Sequence, residues 1–466
     1  MCGIVGYIGT EQAAPILLDG LSKLEYRGYD SAGIAVYDGE NIEMKKSTGR
    51  LKVLTELTHG GATMPGCIGI GHTRWATHGS PSDVNAHPHF NKDASIVVVH
   101  NGIIENYLKL KKKLESKGYE FLSETDTEVV AHLLDYYYKG DPLEAITKIM
   151  HRVEGSYALG IMFKAHPGEV YAVRKDSPLI VGHSENGNFI ASDVPAILKY
   201  TRDVYFIENE EIVRLTTKDM RFYNIDEEEI EKESVTIQWD ISAAEKGGYE
   251  HFMLKEMYEQ PKAVADTLNP RIKDNHIEIE ELGMTDEEIR AVKKIYIVAC
   301  GSAYHTGVTA KYVFEGVARI PVEVDLASEF RYRNPIYEEN TMAIIVSQSG
   351  ETADSLAALR DAKAHGVRVL GIVNVVGSSI AREADNVMYT WAGPEIAVAT
   401  TKAYSTQLIA EYLLALKFAH VRGEIDDVQL AEYICDLKRL PQQIEMLLNN
   451  KSRIQRFANR YLAARD

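Results

Sequence analysis

The chain has 466 residues, 45% of them hydrophobic and 26% charged, an ordinary globular composition with room for about three domains. Its formal charge of −17 excludes a broad nucleic-acid-binding or anionic-membrane-binding surface, since both need positive charge. Cys2, Cys67, Cys300 and Cys435 form no CxxC pair and no Cys/His spacing, which excludes a zinc finger or disulfide framework and fits a reducing cytosol, and no apolar run is long enough to span a bilayer.

The chain opens Met1-Cys2-Gly3 with no basic, apolar leader. Removing Met1 would leave a cysteine whose thiol and free α-amine share one residue. A thiol titrates near about 8.5 and an α-amine near about 7.7–8.0, so at neutral pH the amine can take the thiol proton. A small residue at position 2 is also common without function. Removal of Met1 is expected, because cysteine is small enough to permit it and a retained methionine would block the amine.

From Cys2 to about Asp240, short apolar runs predict strands at Gly3–Ile8, Ile34–Tyr37, Ile68–His72, Ile96–His100, Tyr157–Phe163 and Val170–Val173. Helical spacing falls between them at Ala13–Leu24, Tyr107–Lys117, Thr127–Lys139 and Pro142–Val153. This mixture predicts sheets packed face to face with helices outside. The charged run Glu227–Glu233 reads as a solvated turn. Four polar segments carry chemistry or an innocent alternative. Arg27–Ser31 and Gly71–Gly79 are Gly-punctuated and suit either a cleft or a turn. His100-Asn101-Gly102 ends the apolar run Ile96–Val99; Asn beside a Gly N–H suits an oxyanion, and Asn-Gly is equally a turn dipeptide. Ser123–Glu128 could cap the helix that follows.

The stretch 241–282, with Gly247-Gly248, a helix-like run Tyr249–Glu259, Pro261 and Pro270, reads as a linker. Beyond it the rhythm is strand, loop, helix: Ile295–Ala299 before Gly301, Val322–Val324, Thr341–Val346 before Ser347, and Val367–Val373. That rhythm predicts a doubly wound parallel sheet. From Tyr404 onward the sequence is helical. The hydroxyl-rich loops at Ser302 and at Ser347–Ser355 each sit between a strand and a helix, where they can bind an anion or merely cap the helix.

Six blocks, Cys2–Gly6, Leu24–Ser31, His72–Gly79, Asn85–Pro88, His100–Gly102 and Glu124–Glu128, together resemble the N-terminal-nucleophile (class II) glutaminases, and more narrowly the glutaminase domain of the glutamine–fructose-6-phosphate aminotransferases. The resemblance implies an αββα sandwich over residues 2–240, with Cys2 as nucleophile and Asn101 and the Gly102 N–H as oxyanion donors. It also implies that Arg74 pairs with the glutamine α-carboxylate and Asp126 with its α-ammonium, while Arg27, Thr77, His78 and His87 line the site. Trp75 would gate released ammonia; its alternative is a core aromatic, and that of His87 a structural histidine.

Ser347-Gln348-Ser349-Gly350-Glu351-Thr352 resembles the SIS (sugar isomerase) domain, here 283–425 after the linker 241–282. The resemblance implies phosphate held by Ser347, Gln348, Ser349 and Thr352, and sugar contacts at Ser302 and the backbone of Val398-Ala399. Where many relatives carry Gly-Thr-Ser, this chain has Gly301-Ser302-Ala303, one hydroxyl fewer. Lys402 is a tempting Schiff-base nucleophile but reads better as support for its loop. The family continues into a second SIS domain, and 426–466 is expected to be the helical segment leading to it.

The resemblance implies glutamine and fructose 6-phosphate as substrates, glucosamine 6-phosphate as product for amino-sugar precursors, a cytoplasmic homodimer, and no cofactor. No metal, nucleotide or pyridoxal motif is visible. Two rivals are an amidotransferase that aminates phosphoribosyl pyrophosphate, which needs an acidic phosphoribosyl-binding strand absent here, and a non-catalytic sugar-phosphate-binding module that needs no Cys2.

Overall fold

The computed structural model describes residues 2–237 and 246–464. The chain divides into two compact units, Met1–Ala244 and Glu245–Asp466. Met1 and the first residues of the expected linker, up to Glu245, lie outside the described residues.

In chain order the first unit runs β1 (Gly3–Gly9), α1 (Ala13–Ser22), β2 (Ser31–Tyr37), β3 (Ile42–Thr48), α2 (Leu51–Leu57), β4 (Ile68–Arg74), β5 (His89–Phe90), β6 (Ile96–Ile104), α3 (Tyr107–Glu115), α4 (Glu128–Tyr137) and α5 (Pro142–Met150). It continues through β7 (Gly155–Phe163), β8 (Val170–Lys175), β9 (Ile180–Ser184), β10 (Gly187–Ala191), β11 (Asp203–Phe206), β12 (Ile212–Leu215), β13 (Met220–Tyr223), β14 (Glu229–Ile230) and β15 (Val235–Thr236). One sheet has the order β15-β11-β9-β10-β1-β4-β2-β3, the other β14-β13-β12-β8-β7-β6-β5. Every pairing between these strands is antiparallel.

Strand parity explains the layers. Ile4, Ile8 and Ile70 from the first sheet meet Val97, Val99, Ala158 and Met162 from the second in one buried cluster. The alternate residues of the second sheet, among them Val98, Leu159 and Ile161, turn outward and bury Val129, Val130, Ile146 and Ile149 of α4 and α5. The result is the αββα sandwich, a helix layer on each sheet. The same parity carries Cys2, His72, Arg74 and Asn101 onto the inter-sheet faces of their strands, where chemistry replaces the apolar core. Two local readings differ from the sequence expectation. Asn101 and Gly102 are not a turn, because β6 runs through to Ile104 with Asn101 opposite Ala158. The run Glu227–Glu233 holds a two-residue edge strand, β14, beside the turn at Glu227.

The second unit comprises α6 (Phe252–Leu268), the ribbon β16 (Ile272–Lys273) and β17 (His276–Ile277), α7 (Asp286–Ala291), β18 (Lys294–Ala299), α8 (Ser302–Val313), β19 (Val322–Leu326), α9 (Ala327–Arg333), β20 (Thr341–Ser347), α10 (Ala353–Ala364), β21 (Arg368–Val373), α11 (Ser379–Glu383) and β22 (Asn386–Tyr389). The helices α12 (Lys402–Val421), α13 (Asp427–Asn449) and α14 (Lys451–Tyr461) complete it. The sheet is parallel in the order β19-β18-β20-β21-β22. Both faces are covered: Ile295, Ile297 and Ala299 pack with Leu413, Leu414 and Phe418, whereas Tyr296 and Val298 pack with Phe330, Leu356 and Leu359. That two-sided burial is why the strands read as continuous apolar runs. The segment expected to be a linker holds α6, which runs through Pro261 and buries Ala263, Val264, Thr267 and Leu268, so most of it belongs to this unit's core. No helix among the described residues is long and apolar enough to cross a membrane.

Glu411 on α12 is fully buried, with a single weak partner, Thr306 Oγ1 at 3.4 Å, and Oε2 bare. Burial raises its carboxyl well above the ordinary range. A raised carboxyl gives its stabilisation in full below the unfolded-state value of about 4.3 and loses it as pH rises beyond that. Glu411→Met should therefore flatten the loss of stability with rising pH. Relieving a buried unsatisfied group of about 1–3 kcal/mol should also raise this unit's unfolding midpoint at neutral pH by several degrees, measured by calorimetry on the whole chain.

Candidate active site

Cys2 stands at the entry to β1, beside β4, whose register sets Gly3 opposite Thr73 and so delivers Arg74 and Trp75 to the thiol. The Trp75 N–H donates to Cys2 Sγ at 3.3 Å and the thiol reaches Trp75 O at 3.6 Å. The Cys2 carbonyl accepts from Arg27 Nε and Asn101 Nδ2, both at 3.0 Å. Burial pushes the Cys2 thiol up, partly offset by the Trp75 N–H. A raised thiol stays protonated at neutral pH and needs a base to become a nucleophile.

Arg27 is anchored by Asp193 at 3.5 Å, and Asp193 also accepts from Tyr26 Oη. Asn101 donates its second hydrogen to Ser192 Oγ at 2.8 Å, while its Oδ1 faces His72 Nε2 at 3.0 Å. Gly102 has φ +127°, and a Cβ there would stand 2.0 Å from Ser156 O, so the backbone next to Asn101 demands glycine.

Arg74 is buried, and one arm of its fork, Nη2, holds the carbonyls of His78 and Gly79. Nη1 is buried without a partner, and no carboxylate pairs with Arg74 among the described residues. A buried guanidinium with an idle donor and no counter-ion is built to receive an anion. Asp126 is buried, one oxygen held by the Ile104 N–H at 2.7 Å. Thr77 Oγ1 lies 3.3 Å from His78 Nδ1, in the loop that Arg74 clasps.

Trp75 is 43% exposed and meets Tyr29 edge-on at 5.3 Å, so it is no core aromatic. His87 stacks on His72 at 4.0 Å, meets His89 edge-on, and accepts the His100 N–H through Nδ1. Burial lowers all four of these histidines, His72 to about 3, and keeps them neutral. Ser123 and Thr125 do not cap α4; instead the Glu128 carboxylate reaches back to the N–H groups of Leu122 and Ser123, and Thr127 Oγ1 bonds His100 Nδ1.

In the second unit the sheet order reverses between β18 and β20, the place where such sheets bind ligands at the carboxyl ends of their strands. The loops that follow these two strands carry Ser302 and Ser347–Thr352. Ser347 Oγ accepts from the Gly350 N–H at 3.0 Å and lies 3.1 Å from Thr352 Oγ1, and Ser349 Oγ accepts from the Glu351 N–H at 3.2 Å. The Gln348 carbonyl is held by the Asn374 N–H. No side chain caps α8 or α10, so the hydroxyls are not spent as caps. Ser302 is the first helical residue of α8, and Val398 is exposed in the loop before α12. Lys402 is buried in an ion pair with Glu259 at 2.7 Å, which makes it a structural lysine. Sequence reasoning gave no role to His72, Ser192 or Asp193. Only His72 left a trace, as the residue two before Arg74 on the same strand face.

A thiol at residue 2, an amide donor on its carbonyl and a buried guanidinium with one idle arm define a glutamine amidotransferase of the N-terminal-nucleophile class, here followed in the chain by an SIS domain. Residues 72–199 match the glutamine amidotransferase domain and residues 288–417 the SIS domain. The chain is 58% identical to the glutamine–fructose-6-phosphate aminotransferase [isomerizing] of Caldanaerobacter subterraneus over 100% of its own length and 77% of that protein's. The enzyme of the same name from Clostridium acetobutylicum is 59% identical over 99% of this chain and 76% of its own length. Among solved structures, the C-terminal domain of glucosamine-fructose-6-phosphate aminotransferase from Francisella tularensis, 39% identical, aligns with 47% of this chain and 61% of that one at a TM-score of 0.45. The chain belongs to the glutamine–fructose-6-phosphate aminotransferase (isomerizing) family.

A Cβ on Gly28 would stand 2.5 Å from Arg74 C and 2.8 Å from Trp75 N, pressing on the backbone that flanks the thiol. Gly28→Ala should destabilise the chain by about 1–3 kcal/mol through overpacking, read as a lower thermal midpoint.

Proposed function

We infer that the chain hydrolyses glutamine at Cys2 and binds fructose 6-phosphate on its SIS domain, the two half-sites of glucosamine 6-phosphate formation. The observation that carries the glutamine reading is the buried Arg74 with Nη1 idle and no counter-ion, close to a thiol whose pKa is raised. Arg74 would bind the substrate α-carboxylate and Asp126 its α-ammonium, with Arg27, Thr77, His78 and His87 shaping the pocket. With Met1 removed, the Cys2 amine takes the thiol proton. Sulfur adds to the γ-amide carbon, and the oxyanion is held by Asn101 Nδ2 and the Gly102 N–H. The tetrahedral species expels ammonia, which takes the proton from the amine, and leaves a γ-glutamyl thioester; water then releases glutamate. Trp75 controls where the ammonia goes.

On the sugar side, Ser347, Gln348, Ser349 and Thr352 would hold the phosphate at the N-terminus of α10, with Ser302 and the Val398-Ala399 backbone on the sugar. Hydroxyls and helix N–H groups bind a phosphate without a lysine. A cytoplasmic location fits the free, scattered cysteines, and the family suggests a homodimer feeding amino-sugar synthesis.

Glutamate release, assayed with and without fructose 6-phosphate, tests the reading. Cys2→Ala should abolish release and leave sugar-phosphate binding intact; loss of both would overturn the separation of the sites. Arg74→Lys should raise KM for glutamine at least tenfold with kcat changed less, because one ammonium cannot both hold the His78 and Gly79 carbonyls and replace the free Nη1 donors. Since the amine works unprotonated, kcat/KM should climb with pH and level off above about 8, and a chain retaining Met1 should be inactive at every pH.

A further inference from the structure

We propose that His72 is a positioning residue for glutamine hydrolysis, holding the Asn101 side chain with its NH2 end toward Cys2. This rests on the reading that Asn101 is an oxyanion donor. The geometry decides the matter in three steps. His72 Nε2 lies 2.9 Å from the His100 carbonyl, which only accepts, so Nε2 carries the proton. That proton also faces the Asn101 amide at 3.0 Å, so the near atom must be oxygen. Nδ2 is thereby turned to the other side, where it meets the Cys2 carbonyl at 3.0 Å and Ser192 Oγ at 2.8 Å.

In the resting site both hydrogens of Nδ2 are spoken for. To stabilise an oxyanion, one must leave its partner. Either acceptor can be left, because each keeps a second donor: the Ile4 N–H on Ser192 Oγ at 2.8 Å and Arg27 Nε on the Cys2 carbonyl at 3.0 Å. While Nδ2 exchanges partners, the contact at the oxygen end is the one that does not change, and it comes from His72. The imidazole is made for a fixed, neutral role. It is fully buried, stacks on His87 at 4.0 Å, and has Nδ1 bare of any partner. A buried nitrogen without a partner among the described residues costs stability, a cost an apolar side chain of similar shape would avoid, so what the imidazole adds at this place is its Nε2 donor. A histidine protonated on Nδ1 alone would present a lone pair to the amide, invite the flip, and aim Oδ1 at the oxyanion.

The test measures kcat and KM for glutamate release by Asn101→Ala, His72→Leu, His72→Gln and the double variant Asn101→Ala/His72→Leu. His72→Leu should lower kcat about 10–100-fold with KM little changed, bounded by the ~10²–10³ that losing an oxyanion donor costs. His72→Gln, which can still donate to Oδ1, should recover most of kcat. The double variant should be little worse than Asn101→Ala alone. An Asn101→Ala enzyme as active as the parent would sink the oxyanion reading itself. A costly Asn101→Ala whose effect adds in full to that of His72→Leu would sink only the positioning role. Should His72→Leu fail to fold, ¹⁵N NMR of histidine-labelled parent protein decides: the Nε2–H tautomer, neutral throughout the assay range, supports the proposal, and an Nδ1–H tautomer or an imidazolium overturns it.

Discussion

A nucleophile that uses its own α-amine must be the first residue of the working chain, and chain ends fray unless they are tied down. The paired hydrogen bonds to the Cys2 carbonyl, from Arg27 Nε in the first sheet's layer and Asn101 Nδ2 in the second, remove that freedom. They hold residue 2 by its backbone carbonyl and engage neither the thiol nor the amine. Everything else in the first unit serves that tether. The β1–β4 register brings Trp75 to the sulfur, Asp193 fixes Arg27, and His72 and Ser192 fix the two ends of Asn101.

Much of this was legible in the sequence because the strands here announce themselves by period and composition. Six strands and four helices of the first unit fall where the apolar spacing set them, with ends that differ by a few residues. The misread places share one cause, that local chemistry was judged without its partners. Asn101-Gly102 has the composition of a turn, yet nine consecutive pairs with β7 keep it extended, and Gly102 tolerates the conformation that the tight approach of Ser156 imposes. The stretch after Glu245 has the glycines and prolines of a linker, yet the apolar stripe Ala263, Val264, Leu268 finds a core to enter. His72 shows why site residues are harder than folds: its identity was in plain view, but its role depends on a carbonyl 28 residues away in the chain.

The second unit, like the first, uses carboxylates to hold backbone N–H groups. The buried Glu256 carboxylate takes the N–H groups of Ile396 and Ala397, and the half-buried Glu259 pairs with Lys402. Among the described residues Glu256 keeps one oxygen bare, and burial raises its pKa. Such a scaffold fixes the loops at the carboxyl edge of the sheet without filling that edge with positive charge.

The Glu395 carboxylate takes the N–H groups of Thr401 and Ala403 at the start of α12, and the Glu351 carboxylate takes that of Ser379 at the start of α11. Each of these helices has its anion-attracting end plugged by a residue of the chain itself. Among the described residues, no side chain caps the helices after β18, β19 and β20. An anion arriving at this edge thus meets carboxylates already at the starts of α11 and α12, and uncapped helix starts at α8, α9 and α10. Occupying two helix starts in advance narrows where on this edge an anion can settle.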